Sequence, residues 1–113
     1  MGNGSGEKNF FARVYEAVQA IPQGSVASYG QIAVAIGFPH MSREVGWALH
    51  ANPQPGIIPC HRVVDKSGNP AKTFAFGGGS IQRAMLESEG VVFDDNGRVK
   101  SEYFVKKLVR KIE

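Results

Sequence analysis

The sequence predicts an α/β fold in which helices dominate, organised around a helix-turn-helix. Three observations carry that prediction. The chain has 113 residues with 42% hydrophobic content, enough to bury one core without disulfide or metal staples but too few for two domains. Two short helical stretches with start signals flank a tight turn at 37–41. A β-branched pair, Val63-Val64, follows the single cysteine, Cys60.

The elements follow in order. The opening Met1-Gly-Asn-Gly-Ser-Gly has neither the basic nor the apolar region of a signal peptide, and Gly6 breaks the N-myristoylation pattern. Residues 1–9 are therefore expected to be a flexible arm ahead of one domain over 10–113. From Lys8 to Ile21, Phe11, Val14, Tyr15 and Val18 recur at helical spacing, and Pro22 and Gly24 close the segment. Ser28-Tyr29-Gly30-Gln31 is a capping box, in which the Ser hydroxyl and the Gln side chain satisfy orphan backbone groups. A short helix should follow to about Ile36-Gly37. After the turn Gly37-Phe38-Pro39-His40-Met41, Ser42 is expected to cap a second helix through Val45, Ala48 and Leu49 to about Ala51.

Asn52-Pro53-Gln54-Pro55-Gly56 cannot continue that helix, since each Pro lacks a donor and biases its predecessor toward extended geometry. Cys60 thus sits between a linker of defined shape and a strand-like exit. A turn over Asp65–Asn69 and a glycine-rich loop, Phe74-Ala75-Phe76-Gly77-Gly78-Gly79, precede a helix from Ser80 to Glu89 with Ile81, Met85 and Leu86 inward and Gly90 as its stop. Val91–Phe93 and Arg98–Lys100 flank a turn and read as a small hairpin. The tail from Ser101 reads as helical.

Lys and Arg outnumber Asp and Glu by 13 to 10, and the pI is about 9.2. That balance allows an anionic partner without demanding one. Arg98, Lys100, Lys106, Lys107, Arg110 and Lys111 crowd the C-terminal stretch, where a solvated helix face is the plain reading. A lone cysteine excludes an intramolecular disulfide and is either buried filler or a reactive thiol. No apolar run approaches the ~20 residues that span a bilayer. The expectation is a soluble monomer of the cytoplasm, associated with the nucleoid if the source is bacterial, with no membrane partner.

A thiol is mostly protonated at neutral pH, so nucleophilic work needs a base or a positive field beside it. His61 can serve as that base, and a carboxylate would then fix its tautomer and stabilise its charged form. No Cys or His pair has metal-ligand spacing, and no metal or cofactor is expected. His40 and His50 are assigned to loop and helix surfaces.

The string Ile58-Pro59-Cys60-His61-Arg62-Val63-Val64 resembles the signature of the O6-alkylguanine-DNA alkyltransferases. Pro22-Gln23-Gly24-Ser25-Val26-Ala27-Ser28-Tyr29-Gly30-Gln31-Ile32-Ala33, then Ser42-Arg43-Glu44-Val45-Gly46, Ala48 and Asn52-Pro53, extend the likeness in the same order. It covers about Phe11 to Gly90, and several motifs agreeing in order are far more specific than one. The resemblance implies a winged-helix-like DNA-binding domain that flips a damaged guanine from the duplex into a pocket, because the O6-alkyl carbon is out of reach inside the stack.

By that resemblance Cys60 attacks the alkyl carbon and keeps the group as a thioether, one turnover per molecule. His61 acts as base through a water, Glu89 orients it, Asn52 completes the network, and Tyr29 protonates the departing guanine. Ser42, Arg43, Gly46 and Tyr29 are the implied DNA contacts, with Arg43 filling the gap left by the flipped base and Gly46 and Ala48 allowing close approach in the minor groove. For Gly46 and Ala48, ordinary helix packing is the competing reading. Pro59, Val63 and the backbone of Gly77 and Gly78 are expected to line the guanine pocket.

The chain departs from the pattern in three places. No segment ahead of Phe10 is long enough for the N-terminal domain of larger members, so a reduced form is expected. The usual Tyr-Ser-Gly-Gly of the pocket loop is here Phe74–Gly79, without the hydroxyls and with about two extra residues. Trp47 stands where the family has a small residue, as core filler or as a groove-facing obstacle; core filler is the expectation. A sister class, the alkyltransferase-like proteins, shares the short form, has Trp in place of the nucleophile and binds lesions without repairing them. Three readings therefore stand: a suicidal alkyl-transfer enzyme acting on double-stranded DNA; a lesion-binding module that flags damage for other repair proteins; and a DNA-binding regulator with a structural cysteine.

Overall fold

The computed structural model describes residues 3–54, 56–71 and 78–108. Its order is α1 (Asn3–Gln19), β1 (Ala27–Ser28), α2 (Tyr29–Ala35), α3 (Ser42–His50), a 3-10 turn at Cys60–Arg62, β2 (Val63–Val64), α4 (Gly79–Ser88) and a second 3-10 turn at Ser101–Tyr103. The described residues are mostly helical with a small sheet, as expected. Helical backbone begins at Asn3 rather than Lys8 and so extends into the stretch expected to be a flexible arm. Among the described residues no helix is long and apolar enough to cross a membrane.

Phe10, Val14, Ala17 and Val18 form the buried face of α1, one stripe at 3.6-residue periodicity. The Tyr15 hydroxyl donates to the Ala48 carbonyl at 2.8 Å, tying α1 to α3. The capping box at α2 is formed: Gln31 N donates to Ser28 Oγ at 3.0 Å and Ser28 N to Gln31 Oε1 at 2.9 Å. At the other end of α2, Gly37 takes φ +89°. Its N–H donates to Val34 O, while Phe38 N donates to Ala33 O. That pair of bonds is a Schellman closure, which needs a left-handed residue and so a glycine.

Ser42 does not cap α3. Met41 holds the cap position with no side-chain bond, and Ser42 is the first helical residue. Its Oγ faces α2 instead, 3.8 Å from where a side chain on Gly30 would begin.

β1 and β2 pair in parallel with Ala27 opposite Val63 and Ser28 opposite Val64. Alternation along the strands splits the core in two. Ala27 and Val63 join α1, α2 and α3 in one cluster; Val26 and Val64 join Leu86, Val91, Phe93 and Val99 in the other. The expected hairpin is present as a single antiparallel bridge, Phe93 to Val99. The described part of the tail, 101–108, is not an α-helix: after the 3-10 turn, Phe104 bridges Val26 in parallel, with Val26 N on Tyr103 O and Val105 N on Val26 O, both 2.9 Å. Strand-edge pairing at Val26 is available there, and it outweighs a short amphipathic pattern.

Two side chains face the opposite way from expectation. Ile81 is 46% exposed, while Gln82 on the same helix is fully buried. The surface α4 packs on is lined by backbone carbonyls, so an amide satisfies it better than a hydrocarbon. Trp47 is 56% exposed and is not core filler.

Candidate active site

The Asn52 side chain shapes the approach to Cys60. Its Nδ2 donates to Ile58 O at 2.9 Å, and its Oδ1 accepts from Gln54 N at 2.7 Å, so one buried amide pins both ends of the proline-rich linker. Pro59 is buried and opens the 3-10 turn, which closes through Arg62 N on Pro59 O at 2.9 Å. Cys60 is consequently held 8% exposed.

Burial pushes the Cys60 thiol up, and a hydrogen bond from Asn52 offsets only part of that rise. The resting group is thus a neutral thiol, and deprotonation must accompany attack rather than precede it. Carbamidomethylation of Cys60 by iodoacetamide is therefore expected to reach half its limiting rate at higher pH in the folded protein than in the urea-unfolded chain. A midpoint at or below the unfolded one would mean a preformed thiolate.

His61 Nε2 lies 2.8 Å from Glu89 Oε2. A carboxylate can only accept, so Nε2 carries the proton and Nδ1 is left as the free acceptor in the neutral ring. Glu89 caps α4 at its C-terminus and is shared with a residue that sequence reasoning did not single out. Arg62 Nε donates to Glu89 Oε1 at 3.0 Å, Arg62 Nη2 to Oε2 at 2.9 Å, and Arg62 Nη1 to Ile21 O at 2.9 Å. Burial by itself would raise the Glu89 carboxyl, but the bonds from Arg62 and His61, with their charges, overcome it and hold its pKa at about 2. The carboxylate stays ionised at any working pH, as an orienter of imidazole requires.

Gln82 is the second residue missed. Its Nε2 donates to His61 O at 3.1 Å and to Val63 O at 2.8 Å, and its Oε1 accepts from Ala71 N at 2.8 Å. One side chain thereby clamps α4 to both flanks of the cysteine segment.

The thiol opens onto a cavity of about 390 Å³ whose wall includes Tyr29, Arg43, Gly46, Trp47, Val63 and Gln82. The Tyr29 hydroxyl is pushed up by burial first and then by the nearby Asp65 carboxylate and Cys60, so it remains a proton donor. Among the proposed site residues, Tyr29, Arg43, Gly46, Cys60 and Val63 share this wall. Asn52, His61 and Glu89 stand behind it as a support, and Ser42 and Pro59 do not line it. Gly78 caps α4 at φ +86°, also outside the wall, and Gly77 with the rest of Phe74–Phe76 lies outside the described residues. Arg43, Gly46, Trp47 and His50 border the cavity at intervals of three and four, a single face of α3. That spacing was a readable signal for Trp47 and His50. Among the described residues no group of three or more His, Cys, Asp and Glu is placed to hold a metal.

A helix-turn-helix domain with a recessed thiol, a carboxylate-bound imidazole and a cavity bordered by its second helix is the class that fold and site define. Residues 9–91 match the family described as "6-O-methylguanine DNA methyltransferase, DNA binding domain", and the chain belongs to that family. It is 46% identical over 82 residues to the methylated-DNA--protein-cysteine methyltransferase of Mycobacterium tuberculosis, covering 72% of this chain and 48% of that protein. It is 41% identical over 83 residues to alkyltransferase-like protein 1 of Schizosaccharomyces pombe, covering 73% and 76%. To the DNA base-flipping protein of Escherichia coli it is 37% identical over 95 residues, covering 82% and 70%. The crystal structure of S. pombe Atl1 in complex with damaged DNA containing O6-carboxymethylguanine superposes with a TM-score of 0.73 at 36% identity, over 88% of this chain and 96% of that one. The chain spans about half the length of the methyltransferases it matches.

Proposed function

We propose that this protein repairs double-stranded DNA by moving the alkyl group of O6-alkylguanine irreversibly onto Cys60. The observation that carries the reading is the placement of the Cys60 thiol at a cavity bordered by α3, with His61 and Glu89 paired at 2.8 Å behind it. The Cys60 sulfur attacks the alkyl carbon as the carbon–O6 bond breaks. The thiol proton passes to His61, directly or through a water, and the Tyr29 hydroxyl hands a proton to the departing guanine. Asn52 holds the linker and the thiol; Glu89 fixes the His61 tautomer and stabilises the imidazolium. No cofactor enters this balance, since the alkyl group stays on sulfur. Because a base in the stack hides O6, the guanine must leave the duplex to reach the cavity, with Arg43 at the mouth and Ser42, Gly46 and Tyr29 toward the DNA backbone. Val63 belongs to the cavity wall that would face the base, while Pro59 opens the Cys60 turn and Gly78 caps α4.

The test is intact mass and peptide mapping after incubation with duplex DNA bearing one O6-methylguanine. The expected result is a gain of one CH2, confined to the peptide that contains Cys60. The match to S. pombe Atl1 over nearly its whole length favours one second reading, a lesion-binding module that hands damage to other repair proteins. Tight lesion-selective binding with no mass change would establish that reading instead.

A further inference from the structure

Trp47 is the chain's only tryptophan, and it is 56% exposed on the face of α3 that carries Arg43 and His50. Large aromatics are usually well covered in a folded monomer, and among the described residues none covers this one. Its indole borders the same cavity as Cys60 and Tyr29. A cavity of about 390 Å³ falls in the size range that holds ligands well beyond a bare purine. An indole plane at such a mouth offers stacking to an aromatic group and almost nothing to a methyl.

We propose that Trp47 is a specificity-determining wall for the O6-substituent, so that the site prefers bulky aromatic adducts over methyl. The inference rests on the reading that an extrahelical O6-alkylguanine enters the Cys60 cavity. There, the base would approach the thiol past Tyr29, and a substituent longer than one carbon would extend toward α3. Arg43 lies one turn before Trp47 on the same face and is free to serve the duplex while the indole serves the adduct. The exposed position also means that substitution of Trp47 removes no core packing.

The experiment measures Kd on the full chain carrying Cys60→Ser, which removes covalent transfer, for duplexes with guanine, O6-methylguanine or O6-benzylguanine at one position. Benzyl is expected to bind about tenfold more tightly than methyl, the effect of one aromatic contact of the usual strength. Trp47→Ala should bring that ratio close to one, and Trp47→Phe should keep most of it. An unchanged ratio in Trp47→Ala, or one that grows because an obstacle has gone, overturns the proposal while leaving the functional reading intact. If neither lesion is preferred to guanine, the functional reading falls and this inference with it.

Discussion

Replacing Cys60 by Ala is expected to abolish alkyl uptake completely while leaving affinity for lesion-bearing duplex within about 0.5 kcal/mol of the parent, roughly twofold in Kd. On the proposed reading sulfur is the acceptor, and no other thiol exists in the chain to replace it. The groups that would touch DNA, Arg43 and Tyr29, lie on other elements and do not depend on the thiol for their position. The small void left at a residue already at the cavity wall should cost about 1 kcal/mol of stability or less. Mass spectrometry of trapped protein and fluorescence anisotropy with labelled duplex read the two effects separately. Residual uptake in Cys60→Ala would show that another residue is the acceptor, and loss of both uptake and binding would make the cysteine a structural part of the docking surface.

Glu89→Ala should have the largest effect on stability, about 3 to 5 kcal/mol, because it strands a recessed guanidinium and an imidazole that share one carboxylate. Glu89→Gln keeps the shape and loses the charge, and its deficit should depend on pH. The folded carboxyl has a pKa of about 2, below the ordinary ~4.3 of an unfolded Glu. The unfolded chain therefore takes up the proton first on acidification. The stabilisation is fully present above the unfolded value and is lost as pH falls from about 4.5 toward 2. Urea unfolding of parent and Glu89→Gln at pH 7, 4 and 2.5 should show the gap between them closing. A gap that stays constant over that span would mean the carboxylate charge contributes nothing.

Local features were the most legible in the sequence. The capping box from Ser28 to Gln31, the Gly37 closure of α2 and the Gly90 stop after α4 each depend on residues within five positions, and all three form. Features decided by tertiary surroundings were read less well. Ser42 looks like a cap by type, yet the helix starts one residue earlier than that reading needs, so Met41 takes the cap position and Ser42 is already helical. Ile81 has the better hydropathy for the interior, but carbonyls at His61 and Val63 call for the Gln82 amide. The Ser101 tail has a helical pattern, and the free edge at Val26 captures Phe104 instead. The pairing of His61 with Glu89 spans 28 residues and was legible through family resemblance alone. Arg62 has no local signal of its role, because the carboxylate that gives it one lies 27 residues along the chain.

The two-rung ladder between β1 and β2 has a mechanical meaning. Ser28 is at once the last residue of β1 and the cap of α2, while Val63 follows the Cys60 turn directly. α2 and the Cys60 turn are therefore joined by backbone hydrogen bonds across a span of a few residues. Whatever surface the α2–α3 pair settles on, the sulfur arrives already indexed to it, like a stylus fixed to its carriage. On the proposed reading, a base that opens from the duplex would meet a sulfur whose position relative to α2 is already set by that ladder.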